Sequence, residues 1–501
     1  MTRFLLSTAA MLGLSTAAMA QDLPQADTDW FKNAQKTIEE RLAVQPITGK
    51  AKNVILFTAD GNGIGTNYAI RLYTGQLEGG LGDDYVQPHE RFPNVALSKT
   101  YTSNGQTADS APTAGAMNSG VKGKNGMINI LDHVSVGDCA AGATAGTKMF
   151  SEIVSEMGKS VGVVSTARIT HATPAAVYAR TVNRDFEDNS LLPEGCDQKD
   201  IAAQLIDQMQ AGVIDLALGG GRRHFLPTDV TDVEGKNGQR TDGRNLVEEM
   251  QAAGAQVVYG DEDFAALNLT GNNAPILGLF ESSHMKYDID RTGEPSLAEM
   301  TEAAIKALSN NENGFYLSVE GGRVDHANHD GNLHRTVSDG KAFADAIAKA
   351  LEMTDPQETL IIVTADHEHA IAFNGYCGRG SNILGLCMEE NEQGVEHTGK
   401  PNLAADGKPY TVAGFLNGAG SVLVQQEGSD VFAAPEGRPV VTEEQATDVD
   451  YLQQALIPMT SETHAGTDVG IFAYGPWAHL FGGVVEQNVI FHVMNYAVNA
   501  E

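Results

Sequence analysis

The chain has 501 residues, with 65 Asp or Glu against 33 Lys or Arg, a formal charge of −32 and 42% hydrophobic residues. That charge disfavours a nucleic-acid binder, whose affinity comes mostly from Lys and Arg neutralising phosphates. The composition is that of a globular protein, not a disordered or fibrous one, and the surplus carboxylates offer the oxygen ligands that hard cations need. Residues 1–20 combine Arg3, an apolar run over 4–14 and the ending Ala18-Met19-Ala20, the layout of a secretory signal peptide. The run is short of the roughly 20 residues that span a bilayer, and no later stretch matches it, so no membrane span is expected. Export, to a periplasm or outside the cell, would leave residues 21–501 as the working chain. Cys139, Cys196, Cys377 and Cys387 allow two disulfides in three pairings, and no Cys-x-x-Cys is present to build a thiolate zinc site.

Residues 27–44 set Trp30, Phe31, Ala34, Ile38 and Leu42 at helical spacing behind an Asp/Thr start, which predicts an amphipathic helix against the body or a partner. From Asn53 onward short apolar runs begin at Val54, Val161, Leu216, Val257, Ile276, Phe315 and Leu360, with helix-like segments such as 297–308 and 335–351 between them. Continuous apolar runs are what strands buried on both faces look like. Their alternation with helices predicts an α/β fold, a three-layer αβα sandwich around a largely parallel central sheet. Residues 375–448 break the rhythm, being rich in Gly, Asn and Pro, and read as an insertion on top of the sheet domain.

Three apolar runs end alike: one leads into Asp60, one into Glu320, one into Asp366-His367. Ligand crevices of open parallel sheets lie beyond the carboxyl ends of the strands, so these four side chains are delivered to one edge. A single Asp there could be only an N-cap or turn residue; three from distant strands point to a site. The segment Glu320-Gly-Gly-Arg-Val-Asp325-His326-Ala-Asn-His329-Asp330 adds more ligand-type groups. On a helix, Asp325 and His329 share a face, as do His326 and Asp330, and periodicity does not choose between the pairs. His464, among small residues before an apolar run, is a further candidate.

A nucleophile is suggested by Thr107-Ala-Asp109-Ser110-Ala-Pro112. Pro112 fits the first turn of a helix and places Ser110 at its N-terminus, where backbone N–H groups and the helix dipole favour a bound anion. The plainer role is an N-cap. A serine hydroxyl needs a base or a metal to act as a nucleophile, and cations held by the acids and histidines above would serve.

Asp60, Asp109-Ser110-Ala111, His171-Ala172-Thr173-Pro174, Glu320-Gly-Gly-Arg-Val-Asp325-His326, Thr364-Ala365-Asp366-His367 and Thr463-His464-Ala465-Gly466, in this order, resemble the signature set of alkaline phosphatases. The likeness covers nearly the whole chain after the leader. It implies a phosphomonoesterase acting through a phosphorylated Ser110, with two Zn2+ and one Mg2+. One zinc would sit on Asp325, His329 and His464 and the other on Asp60, Asp366 and His367; the magnesium would sit on Asp60, Thr173 and Glu320. Arg184 would grip the phosphate, oriented by Asp109, with His171 and His326 around the third site. Asp406-Gly-Lys-Pro-Tyr-Thr411 and the segment after it resemble the crown of the animal-type enzymes, implying a homodimer built with the N-terminal helix. Gly278-Leu279-Phe280-Glu281 and Met285-Lys286-Tyr287 resemble their calcium-site region, with an incomplete acidic set. The likeness further implies the pairs Cys139–Cys196 and Cys377–Cys387. Three alternatives stand beside it. A phosphodiesterase of the same superfamily shares the site. A sulfatase is disfavoured because Ser110-Ala-Pro-Thr-Ala lacks the required Arg. A non-catalytic phosphate or metal scavenger would keep the ligands without needing Ser110.

Overall fold

The computed structural model describes residues 23–271 and 274–500; the leader-like segment 1–20 lies outside them. The chain divides after Gln45 into two compact units. In the first, the predicted helix forms over Asp29–Ala43, with the Thr28 hydroxyl accepting the Phe31 N–H at 3.3 Å as its N-cap.

The second unit is built on a ten-stranded sheet. Its strands in chain order are β1 (Asn53–Ala59), β2 (Asn94–Lys99), β3 (Ser160–Arg168), β4 (Leu216–Gly220), β5 (Gln256–Val258), β6 (Ile276–Leu279), β7 (Phe315–Gly321), β8 (Thr359–Ala365), β9 (Val469–Tyr474) and β10 (Gly483–Glu486). They lie in the order β10-β2-β9-β8-β1-β7-β3-β4-β6-β5. β9 alone runs against the rest, antiparallel to both β2 and β8. The largely parallel sheet predicted from the apolar runs is therefore what forms.

Alternate residues of each central strand enter opposite cores, as the two-residue side-chain period requires. Val54, Leu56, Tyr316, Leu360 and Ile362 pack on one face with Ala111, Ala114 and Met117 of the helix Ser110–Ser119. Ile55, Phe57, Leu317, Val319, Ile361 and Val363 pack on the other with Met300, Ile305, Phe343 and Ile347 from the helices Leu297–Leu308 and Leu333–Met353. Each such buried side chain contributes about 1.5–3 kcal/mol relative to exposure, which fixes the register of the three central strands tightly. That register sets Ala59 beside both Gly321 and Ala365. The residues that follow, Asp60 and Asp366, thus emerge side by side.

Within residues 375–448 the strand Ala413–Gly418 joins Ile371–Phe373 and Ala455–Pro458, which flank that stretch, in a separate three-stranded sheet. Both disulfides form as the resemblance implied, Cys139–Cys196 and Cys377–Cys387.

His89 illustrates a titratable group sealed into this fold. It is 2% exposed, its Nε2 lies 3.0 Å from Asn67 Oδ1, and its ring meets Phe472 edge-on at 4.9 Å. Burial pushes it down from 6.5 to about 4. Between those pH values the unfolded chain binds a proton that the folded one refuses, so stability is lost as pH falls through this window. The loss amounts to about 3 kcal/mol at pH 4. Denaturant titrations should therefore show His89→Gln gaining on the wild type by up to that amount between pH 7 and pH 4. Parallel stability curves would sink the assignment.

Candidate active site

Beyond the carboxyl ends of β1, β7 and β8 the chain turns sharply. Gly61 adopts φ +69°, and a Cβ there would come within 2.4 Å of His369 Nε2, so both backbone and space require glycine. Its N–H donates to Asp366 Oδ1 at 3.1 Å, tying the ends of β1 and β8 together.

Ser110 opens the helix Ser110–Ser119, and Asp109, not Ser110, is the N-cap, accepting the Ala111 N–H at 2.8 Å. The serine is freed from capping because the aspartate before it does that work. Ser110 Oγ lies 3.2 Å from Asp60 Oδ1 and 3.2 Å from His367 Nε2. His367 Nε2 is also 3.2 Å from Asp366 Oδ2, so Asp60, Asp366 and His367 converge beside the hydroxyl.

A second group gathers around Asp325. The helix Arg323–His329 settles the ambiguity of its motif: Asp325 Oδ1 is 3.5 Å from His329 Nε2 and 3.3 Å from His464 Nε2, whereas Asp330 faces away and accepts from Tyr287 Oη at 2.6 Å. His329 Nδ1 lies 2.6 Å from the Glu462 carbonyl and His464 Nδ1 2.7 Å from the Ala108 carbonyl. A carbonyl accepts only, so both protons are assigned to Nδ1 and both Nε2 atoms carry lone pairs. Those atoms stand 3.0 Å apart. Two lone pairs and a carboxylate oxygen aimed at one spot repel one another unless a cation lies among them, and carbonyl-anchored histidines are how proteins orient metal ligands.

The third group surrounds the other oxygen of Asp60. Thr173 Oγ1 lies 3.4 Å from Asp60 Oδ2, and Asp60, His171 and Glu320 bring ligand atoms within 4.8 Å of one another. Glu320 accepts from Ser165 Oγ through Oε2, while its Oε1 is buried without a hydrogen-bond partner. Among the protein groups alone these acids are in conflict. Burial and the charge of Asp325 push Asp60 up to about 7. Burial and Asp60 push Asp366 up to about 7, and the same two causes raise Glu320 well above its ordinary range. Asp325, despite its burial, is held well below the carboxylate range by His329, His369 and His464. A fully buried acid cluster with an unmatched oxygen is a cation site by the chemistry of its donors.

Arg184 stands at the edge, with Nη1 3.7 Å from Asp109 Oδ1 and Nη2 2.9 Å from His171 Nε2. His326 lies apart from the three ligand groups: its Nδ1 takes Arg323 Nη1 at 3.1 Å and its ring neighbours His171. Two residues were missed by sequence reasoning. His369 contacts Asp325 Oδ1 through Nε2 at 2.8 Å and Glu462 through Nδ1, and against the effect of burial these two partners push it up to about 10. It is thus a charged clamp between two acids, holding Asp325 in place. The available signal was spacing, since His369 follows His367 and Glu462 precedes His464 by two residues, the period of a strand. Those residues do pair, His369 opposite His464. In the calcium-type segment, Glu281 is ion-paired with Lys286 at 3.0 Å, so a cationic side chain already partners this acid.

Comparison with known proteins matches the alkaline phosphatase family model over residues 51–500. The alkaline phosphatase of Gadus morhua is 41% identical over 497 residues, covering 95% of this chain and 97% of the relative. The tissue-nonspecific isozyme of Gallus gallus is 38% identical, covering 99% and 94%. Among solved structures, the alkaline phosphatase of the Antarctic bacterium TAB5 superposes with TM-score 0.60 at 22% identity, covering 90% of this chain and 99% of that one. The Thermus thermophilus alkaline phosphatase gives 0.62 at 23%, covering 91% and 93%.

Proposed function

The chain belongs to the alkaline phosphatase family and is therefore a metal-dependent phosphomonoesterase, and we propose on that premise that it works through a phosphoserine at Ser110. The observation that carries this is the Ser110 hydroxyl, 3.2 Å from both Asp60 and His367 where the ligand groups meet.

In this mechanism Ser110 Oγ loses its proton and forms a bond to phosphorus as the ester P–O bond breaks, and the leaving alkoxide takes up a proton. Water then attacks the phosphoserine, the P–Oγ bond breaks, and Ser110 regains its proton. Arg184 grips two phosphate oxygens as a planar bidentate donor, with Asp109 orienting it. The Asp109-capped helix presents backbone N–H groups to the same anion. Phosphoryl transfer depends on such positioning and charge neutralisation more than on covalent chemistry by the protein.

Asp325, His329 and His464 would hold one Zn2+, Asp60, Asp366 and His367 a second, and Asp60, Thr173 and Glu320 a Mg2+. Bound there, these ions supply Lewis-acid charge that lowers the pKa of the attacking oxygens and neutralises the leaving one. The donor sets fit, nitrogen and carboxylate at the first two and oxygen alone at the third. One relative, a TAB5 variant, is described with Mg in its M3 site, which supports the third assignment.

Phosphate release from a neutral-leaving-group monoester, set against a diester at equal concentration, tests the reading. We expect the monoester to be preferred, with a chelator lowering its turnover by about a hundredfold or more and zinc restoring it. Faster diester turnover would favour the diesterase alternative, and indifference to chelation would overturn the metal assignment. We further propose an exported homodimer, with residues 1–20 as its leader and about 375–448 as its crown. The two disulfides support an oxidising compartment. No helix among the described residues is long and apolar enough to cross a membrane. A light-scattering mass of one chain would contradict the dimer.

A further inference from the structure

Three histidines pack together beside the third ligand group. His284 packs on His326 with ring centroids 4.0 Å apart and the planes tilted by 53°, and meets His171 edge-on at 5.3 Å, while His171 and His326 are 5.4 Å apart. His171 and His326 belong to the motifs described above; His284 belongs to none of them.

His284 is held from behind. Its Nδ1 accepts the Arg168 backbone N–H at 3.1 Å and its Nε2 abuts the guanidinium of the same residue. A neutral ring has a single acceptor nitrogen, so one of these contacts is a hydrogen bond at a time and neither nitrogen is left for a ligand. Arg168 is in turn fixed by Glu187, which accepts from Nε at 2.8 Å and Nη2 at 2.7 Å. The loop carrying His284 is stitched to the end of β3 and to the turn after β4, through Met285 N–H to the Thr166 carbonyl at 3.1 Å and Gly221 N–H to the Ser283 carbonyl at 2.6 Å. His284 is thus a wall fixed by these bonds, packed against both the His326 and the His171 rings.

The His171 ring sets Arg184. Of the two tethers on the guanidinium, the one to Asp109 is loose at 3.7 Å and the one to His171 Nε2 is close at 2.9 Å. Two tethers on different nitrogens define the plane of the fork, and a bidentate grip on phosphate depends on that plane. We propose that His284 is a positioning residue for Arg184, acting through His171: by walling in the imidazole it holds the acceptor that aims the guanidinium. The proposal rests on the role of Arg184 in the functional reading above.

The test uses the metal-replete full chain, a neutral-leaving-group monoester and inorganic phosphate as inhibitor. In His284→Ala we expect KM and the phosphate inhibition constant to rise together by about tenfold, the equivalent of one misaligned charge-assisted hydrogen bond. We expect kcat to move by less than about threefold, because the Ser110 side of the site is untouched. His284→Phe keeps the wall without the bonds to Arg168 and should bring both constants back to within about threefold. In a His171→Ala background, His284→Ala should add no more than about twofold, since the intermediary is gone. Unchanged constants in His284→Ala, or the full tenfold rise persisting without His171, overturns the proposal. A fall in melting temperature with no rescue by Phe also overturns it, as a purely structural role. No turnover by the wild-type chain would defeat the functional reading instead, whereas normal wild-type turnover with unshifted constants in the variant defeats only the role of His284.

Discussion

Ser110→Ala should lower monoester turnover by about four to six orders of magnitude while the metal content per chain stays at the wild-type level. The two halves of that expectation come from different parts of the geometry. Ser110 Oγ neighbours Asp60 and His367, yet each of those has other partners in the ligand groups, so the cation positions survive without the hydroxyl. The helix survives too, because its cap is the Asp109 carboxylate. Kinetics together with elemental analysis of the purified variant would check both. Turnover within about tenfold of wild type would move the nucleophile elsewhere, and full metal binding in an inactive variant would discredit the scavenger alternative, which has no use for this serine.

Asp60→Asn should be nearly as damaging for a different reason. Asp60 faces His367 and Ser110 with one oxygen and Thr173 with the other, and it belongs to two of the ligand groups. One substitution should therefore weaken two cation positions, taking bound metal from about three ions per chain toward about one and turnover down by about a thousandfold or more. The metal-free fold should respond oppositely. Without cations, Asp60 lies among buried acids that push one another's pKa upward, so neutral Asn relieves repulsion. Calorimetry of chelated samples should find Asp60→Asn at least as stable as the wild type. A variant less stable in both forms would indicate a scaffold residue.

Much of this site was legible because its residues sit where strands end. Asp60, Glu320 and Asp366 each close a continuous apolar run, and a run of that kind announces both a buried strand and the edge at which it stops. The helix Arg323–His329 was less accessible, because Asp325/His329 and His326/Asp330 have the same spacing. Only the direction in which the helix packs could choose, and that depends on Asn328 being buried and Asp330 exposed. His369 and Glu462 went unread because their roles come from pairing two short strands almost a hundred residues apart. His284 lay hidden for a similar reason: its partner Arg168 is 116 residues away, and nothing local marks a histidine that acts as a wall. Contacts formed by the meeting of two loops leave no period for a sequence to display.

The reversed direction of β9 has an architectural consequence. A strand running against its neighbours begins where they finish, so the chain leaves the rim at Asp366, returns to it at His464, and must spend everything in between outside the sheet. That excursion is anchored at both ends by ligand residues, and its own strand Ala413–Gly418 pairs with Ile371–Phe373 and Ala455–Pro458, not with the ten-stranded sheet. A change of length within it leaves unaltered the register of the sheet strands that carry Asp60, Glu320 and Asp366. Because both ends rise from the same rim, such a change alters the surroundings of the ligand residues and leaves the strands beneath them alone.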